Sequence, residues 1–121
     1  MNEKSLVAVV DDDYRVLGSL ESLLESAGYS VCGFASASAL LQSAAWRKIN
    51  LLISDIGMIG IDGFALQRRL LEDRPGVPVI FITGCADLLD QAEKEGNSTP
   101  IFFKPFDAAR LLRAVTERLR S

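Results

Sequence analysis

The chain has 121 residues, 49% hydrophobic and 24% charged, which is typical of one globular domain with a real core. Its net charge of −3 argues against general nucleic-acid affinity, and its lack of histidine excludes histidine-based catalysis and most zinc sites. The two cysteines, Cys32 and Cys85, predict a reducing, cytoplasmic location rather than a disulfide scaffold, and no apolar run reaches the length of a membrane helix.

Short apolar runs alternate with segments of helical spacing along the chain. The pattern predicts five strands, at 6–10, 30–34, 51–54, 77–82 and 100–103. It predicts a helix after each strand: over 16–27, at 36–45, at 64–73, at 86–95 and a last one after the fifth strand. Gly28 ends the first helix, Ser36 caps the second, and Asp107 caps the last. Five strands alternating with five helices predict an α/β fold, a doubly wound five-stranded parallel sheet with helices on both faces.

Polar side chains follow four of the predicted strands. Asp11 and Asp12 follow the first strand, and Asp55 follows the third. Thr83 follows the fourth strand, and Lys104 follows the fifth. In an open parallel sheet the carboxyl ends of the strands form the ligand crevice. If the first and third strands are neighbours where the strand order reverses, all five groups converge on one crevice.

The charges in this crevice point to a cation. Three carboxylates (−3) and one lysine (+1) leave −2 in a small space, and crowded carboxylates resist full ionisation unless they are neutralised. An all-oxygen ligand set favours Mg²⁺, with Mn²⁺ as an alternative. A cation beside a free carboxylate, with a lysine and a hydroxyl opposite, suits phosphoryl transfer, and an aspartate can be the covalent acceptor.

Each of these residues also has an ordinary structural interpretation. An aspartate after a strand is commonly a helix N-cap, and Asp13 is predicted to be one. Asp55 could be a loop residue, Thr83 part of a simple turn, and Lys104 a solvated lysine held by the proline that follows. The joint pattern is more specific than any member, because both the order and the strand-end placement fit.

The chain resembles the receiver domains of bacterial two-component response regulators over nearly its whole length. The matching segments are 9–13, 53–58, 60–63, 81–84 and 104–106, which read VVDDD, ISDIGM, GIDG, FITG and KPF. The resemblance implies a flavodoxin-like fold with strand order 2-1-3-4-5 and a single receiver domain over residues 1–121. It implies a signalling domain rather than an enzyme, apart from self-catalysed phosphoryl uptake and slow autodephosphorylation.

The resemblance also assigns roles around the acceptor. Asp55 is expected to take a phosphoryl group from a sensor histidine kinase. Asp11 and Asp12 are expected to hold Mg²⁺ together with Asp55 and the backbone carbonyl of Gly57. One departure lies here: Ile59 stands where the family usually has proline, which loosens a normally stiff turn.

The family's switch residues are only partly matched. Thr83 is expected to bind a phosphoryl oxygen and move on activation, and Lys104 to pair with the phosphoryl group. The aromatic switch residue usually lies three places before the lysine, but that position is Ile101, and Phe102 follows it. The switch region, which includes Pro105, therefore departs from the usual threonine-to-aromatic relay.

Segments 19–24 and 66–70 are similar to receivers that precede a helix-turn-helix output domain. That similarity implies control of transcription. No output domain is visible in this sequence, so DNA contact is expected only through such a domain elsewhere. The family also implies a homodimer upon phosphorylation, through the fourth helix, fifth strand and fifth helix, and no membrane partner.

Other functions fit the sequence less well. A phosphatase of the haloacid dehalogenase type could use Asp11 as nucleophile and Asp13 as acid–base residue. That class needs further metal-binding acids after the lysine, and it leaves Asp55 without a role. A phosphorylation-independent binding module would make the acidic residues a relic, which the complete set of five residues argues against. Dinucleotide binding needs a glycine-rich turn after the first strand, and this sequence has three aspartates there instead.

Overall fold

The structure is a computed structural model that describes residues 4–120. The strands are β1 (Leu6–Val10), β2 (Ser30–Phe34), β3 (Leu51–Asp55), β4 (Val79–Thr83) and β5 (Ile101–Phe103). The helices are α1 (Tyr14–Ser26), α2 (Ala37–Leu41), α3 (Gly63–Asp73), α4 (Ala86–Lys94) and α5 (Ala108–Arg120), and a short 3₁₀ helix, Ala44–Arg47, follows α2. Residues 1–3 and 121, which belong to the predicted domain 1–121, lie outside the described residues.

All neighbouring strands pair in parallel, in the order β2-β1-β3-β4-β5. This confirms the predicted doubly wound sheet and its strand order. β1 pairs with β2 on one side and with β3 on the other. The order therefore reverses between β1 and β3, and the crevice expected of such a sheet lies at their carboxyl ends.

The sheet separates two apolar cores. One core joins the sheet to α2, α3 and α4, and the other joins it to α1 and α5. β3 and β4 are buried along their whole length, as expected of central parallel strands covered by helices on both faces. Within residues 4–120, no helix is long and apolar enough to cross a lipid bilayer.

Some predicted boundaries were wrong, mostly because of proline. β4 begins at Val79 rather than at 77, and β5 begins at Ile101 rather than at 100. Pro78 and Pro100 directly precede these strands, and each can accept a ladder hydrogen bond but has none to donate. The helix predicted over 36–45 ends at Leu41, and a 3₁₀ helix capped by the Ser43 hydroxyl follows.

Capping side chains fix where four helices begin. The Asp13 carboxylate accepts the N–H of Arg15, and the Ser36 hydroxyl accepts that of Ala39. These two contacts confirm the predicted caps of α1 and α2. The remaining two caps are Asp62 at α3 and Asp107 at α5, the latter also predicted.

Candidate functional site

Three carboxylates meet at the carboxyl ends of β1 and β3. Asp11 and Asp12 follow β1, and Asp55 is the last residue of β3; one oxygen from each lies within 4.8 Å of the others. The register of the two strands explains this, because Val10 pairs with Ser54 and the next residues therefore stand side by side. Asp11 is fully buried and Asp55 is 6% exposed, whereas Asp12 faces solvent.

Lys104 brings the opposing charge into the cluster. Its ammonium nitrogen lies 2.8 Å from Asp11 Oδ2 and 3.4 Å from Asp55 Oδ2. Its backbone N–H donates to the Thr83 carbonyl at 2.8 Å, which fixes the base of the side chain to the end of β4. Three carboxylates and one ammonium leave a formal charge of −2, as the sequence indicated.

The two carboxylate oxygens of Asp11 have different surroundings. Oδ1 accepts the backbone N–H of Asp13 at 2.8 Å, which closes a turn directly after β1. Oδ2 is buried and, among residues 4–120, receives no hydrogen bond of good angle, although the Lys104 ammonium is close. Buried polar side-chain atoms normally have at least one hydrogen-bond partner. Among residues 4–120, the Lys104 ammonium is therefore the cation that Asp11 Oδ2 contacts, and this oxygen has a second lone pair for another partner.

Burial and neighbouring charges shift the pKa of two groups in the site. Burial raises the pKa of the Asp55 carboxyl, and the neighbouring Asp11 raises it further, against the opposing effects of Lys104 and the Gly57 N–H. Burial, the largest effect, lowers the pKa of the Lys104 ammonium, but its close contact with Asp11 Oδ2 and the charges of Asp55 and Asp11 raise the pKa overall. The site therefore favours the protonated form of Lys104 and disfavours the ionised form of Asp55.

Thr83 ends β4 beside this cluster. It is buried, and Ile82, the residue before it, is in register with Asp55. Its hydroxyl oxygen accepts the backbone N–H of Cys85 at 3.1 Å. The hydroxyl predicted to bind a phosphoryl oxygen is thus also the group that anchors the residue before α4.

Gly57 lies in the exposed loop after β3, where its N–H donates to Asp55 Oδ1 at 3.4 Å. The residues of the predicted switch region occupy different environments. Ile101 is partly buried against the core beneath α4, whereas Phe102 packs on the opposite core. Pro105 is exposed, and the peptide bond that joins it to Lys104 is cis.

Two close contacts near the acceptor, made by Gly63 and Gly57, were not predicted from the sequence. A Cβ atom on Gly63 would lie 2.6 Å from the Asp55 carbonyl oxygen, so only glycine lets α3 begin this close to the acceptor strand. A glycine directly after the N-cap residue Asp62 could have signalled this. A Cβ atom on Gly57 would lie 3.0 Å from Leu88 Cδ1 in α4. No sequence pattern indicates that long-range contact.

Asp13 stands apart from the carboxylate cluster. Its Oδ1 accepts the Arg15 N–H at 2.9 Å, and that hydrogen bond lowers the pKa of the Asp13 carboxyl. A carboxylate held ionised in a helix cap is poorly suited to be the acid of an acid–base pair. The geometry thus gives no support to phosphatase chemistry on Asp11 and Asp13.

Comparisons with known proteins agree with this geometry. A family model for the response regulator receiver domain matches residues 7–116. The chain is 36% identical over 121 residues to the response regulator protein TmoT of Ectopseudomonas mendocina, covering 98% of this chain and 54% of that protein. It is 33% identical to the transcriptional regulatory protein FixJ of Bradyrhizobium diazoefficiens, covering 99% of this chain and 59% of that protein.

Solved structures agree as well. The signal receiver domain of an HD domain-containing protein from Pseudomonas fluorescens matches with a TM-score of 0.87 at 29% identity, covering 99% of this chain and 90% of that one. The response regulator StyR matches with a TM-score of 0.84 at 34% identity, covering 98% and 60%.

The chain spans only part of its curated relatives: 54% of TmoT, and 25% of the C4-dicarboxylate transport transcriptional regulatory protein DctD of Rhizobium meliloti, to which it is 36% identical over 94% of this chain. The shared part is the receiver. The match over residues 7–116 and the identity with these regulators confirm the resemblance drawn from the sequence. The chain belongs to the response regulator receiver domain family of two-component systems.

Proposed function

We propose that Asp55 accepts a phosphoryl group from a sensor histidine kinase and that this chain is the phosphorylation-dependent switch of a two-component phosphorelay. The observation that carries the proposal is the placement of Asp55. It ends a fully buried strand, shares a cluster with Asp11 and Asp12, and lies 3.4 Å from the Lys104 ammonium. The carboxylate of Asp55 is therefore held in a fixed orientation, and the Lys104 ammonium lies close enough to stabilise the negative charge of an incoming phosphoryl group.

The residues divide the chemistry between them. A carboxylate oxygen of Asp55 attacks phosphorus, a new O–P bond forms, and the bond to the leaving group breaks with its electron pair on the donor. The leaving imidazole of the kinase histidine takes up a proton. Lys104 then exchanges its contact with the Asp55 carboxylate for one with a phosphoryl oxygen, and the Thr83 hydroxyl donates to another.

The residues of the cluster fit a hard divalent cation. Receiver domains generally use Mg²⁺, and the ligands here would be Asp11, Asp12, Asp55 and the Gly57 carbonyl, with Mn²⁺ as a substitute. The buried Asp11 Oδ2, which has no good hydrogen bond among the described residues, supports this assignment. When bound, the cation neutralises the carboxylates and the phosphoryl oxygens.

Millimolar Mg²⁺ is expected to raise the melting temperature, because a ligand of the native state adds RT ln(1 + [L]/Kd) to stability, about 1.4 kcal/mol at ten times Kd. Asp12→Ala should reduce this gain and relieve carboxylate repulsion in the metal-free protein. Thermal melts in EDTA and across a Mg²⁺ series measure both effects. Asp90→Ala, which removes an exposed carboxylate of α4, is the control, and an unchanged Mg²⁺ response in Asp12→Ala would remove Asp12 from the ligand set.

A groove beside the crevice suits the approach of a partner. It is lined by Val16 and Ser19 of α1 and by Lys104, Pro105 and Phe106 after β5. Its apolar and polar groups lie next to the acceptor site, which a kinase domain must approach to deliver a phosphoryl group. We place this exchange in the cytoplasm and assign control of transcription, and any DNA contact, to an output domain.

Phosphorylation is expected to favour a homodimer through α4, β5 and α5. Opposite charges are exposed on the two helices, and such pairs give specificity more than affinity. The acidic residues on α4 are Asp87, Asp90 and Glu93, and the basic residues on α5 are Arg110, Arg113 and Arg118. Light scattering with and without beryllofluoride measures the change, with Asp55→Asn as the unresponsive control. A strictly monomeric activated protein at high concentration would contradict it.

A further inference from the structure

Leu88, in the first turn of α4, packs against Gly57 in the loop after the acceptor. A Cβ atom on Gly57 would stand 3.0 Å from Leu88 Cδ1, inside ordinary van der Waals contact. Leu88 is partly buried against the core that α3 and α4 cover. Its side chain therefore fills the volume that a side chain at position 57 would occupy.

This contact completes a series of contacts that runs from Asp55 to Thr83. Gly57 donates its N–H to Asp55 Oδ1 at 3.4 Å and touches Leu88. Leu88 donates its N–H to the Cys85 carbonyl at 3.2 Å, and Cys85 donates its N–H to Thr83 Oγ1 at 3.1 Å. The two groups that would flank a phosphoryl group, the Asp55 carboxylate and the Thr83 hydroxyl, are thus joined through the first turn of α4.

We propose that Leu88 is a positioning residue that couples the acceptor loop to the start of α4. The proposal rests on phosphorylation of Asp55 and deepens it by naming the route through which α4 responds. When the Thr83 hydroxyl turns toward a phosphoryl oxygen, its bond from Cys85 weakens and Leu88 shifts across Gly57. Ile101, which stands in place of the aromatic switch residue, packs on the same core as Leu88. We assign the coupling to Leu88 because its side chain lies against Gly57 in the loop after the acceptor.

A double-mutant cycle of Gly57→Ala and Leu88→Ala tests the coupling. The new methyl group at position 57 pushes Leu88 in the single variant but has room in the double variant. We expect the effects on the decay rate of the aspartyl phosphate to be non-additive by a factor of about two or more, as is typical of residues in contact. Additive effects would overturn the proposal. Leu88→Val repeats the cycle with a smaller truncation, so that a poorly folded alanine variant does not decide the result.

The alkylation rate of the Cys85 thiol gives a second readout at the start of α4. This thiol is exposed and makes no side-chain hydrogen bond to the helix terminus, and mass spectrometry of peptides separates it from Cys32. We expect the same non-additivity in this rate, without and with a phosphodonor. Gly18→Ala is the control for Gly57→Ala, because a Cβ atom there meets nothing within 4 Å, and it should be additive with Leu88→Ala.

The two readouts separate this proposal from the proposed function. If the wild type takes up no phosphoryl group, the proposed function fails, and the signalling role of Leu88 fails with it. If phosphoryl uptake occurs but either cycle is additive, only the coupling through Leu88 is wrong. Non-additivity in both readouts together with uptake supports the proposal.

Discussion

Asp55→Asn is expected to abolish phosphoryl uptake. In Mg²⁺ with acetyl phosphate, the intact mass of the wild type should rise by one phosphoryl group, and that of the variant should not change. The amide lacks the anionic oxygen that attacks phosphorus, although it preserves the shape of the side chain. Asp90→Asn, which alters an exposed carboxylate outside the crevice, should be labelled like the wild type. Full labelling of Asp55→Asn would overturn the assignment of the acceptor.

The same variant carries its own test of folding. Burial, followed by the charge of Asp11, raises the pKa of Asp55 in the folded protein above its ordinary value. The native state therefore binds this proton more tightly than the unfolded chain, and stability falls as pH rises through the interval between the two pKa values. The amide of Asp55→Asn does not ionise, so the variant avoids the cost of burying a charged carboxylate. We expect Asp55→Asn to melt at a higher temperature than the wild type in EDTA at neutral pH, so that its loss of uptake cannot be a loss of fold.

The aspartyl phosphate should be long-lived for a receiver domain. Hydrolysis needs a water molecule held in line with phosphorus, opposite the Asp55 oxygen. In the family, side chains two places after the acceptor and two after the threonine can hold or block that water. Here those residues are Gly57, which has no side chain, and Cys85, whose thiol is a weak hydrogen-bond partner. Orientation contributes several kcal/mol in favourable cases, so its absence should outweigh easier access of water.

Gly57→Asn and Gly57→Glu test this argument by supplying a polar side chain beside Asp55. Leu88 Cδ1, which the new Cβ atom approaches to 3.0 Å, is the tip of a flexible side chain and can move aside. We expect faster decay in at least one variant, by roughly tenfold for each 1.4 kcal/mol of orientation gained. Decay of the labelled protein in Mg²⁺ measures the rates, with Gly57→Ala as the control that adds bulk without polarity. Rapid wild-type decay that both polar substitutions slow would mean that open access governs hydrolysis.

The sheet could be predicted because alternating apolar runs are a short-range pattern, and the clustering at its edge because the family resemblance implied the strand order. An apolar run ending in Asp55 marks a buried central strand, and parallel strands bring their carboxyl ends to one edge. The placement of Asp11 beside Asp55 then needs only the neighbourhood of β1 and β3, which the structure confirms. Lys104, the opposing charge, reaches the same cluster as expected.

The features that could not be predicted depend on long-range contacts, or on backbone chemistry that apolar patterns do not show. Pro78 and Pro100 shorten two strands because they have no N–H to donate to the ladder. The packing of Leu88 on Gly57 joins segments that are distant in sequence, and the close approach of Gly63 to Asp55 depends on how the loop after β3 folds back. No periodicity encodes these contacts, so residues that position the acceptor were harder to find than residues that perform the chemistry.

The central claim, that Asp55 is the residue phosphorylated, is tested most directly by trapping the acyl phosphate. Borohydride reduces an aspartyl phosphate to homoserine, and trypsin then places Asp55 in peptide 49–68 and Asp11, Asp12 and Asp13 in peptide 5–15. Fragmentation of peptide 49–68 distinguishes Asp55 from Asp62. We predict homoserine at position 55 alone, only after treatment with a phosphodonor and Mg²⁺. Homoserine in peptide 5–15, with an unmodified Asp55, would contradict the account and point to the phosphatase-like chemistry on Asp11.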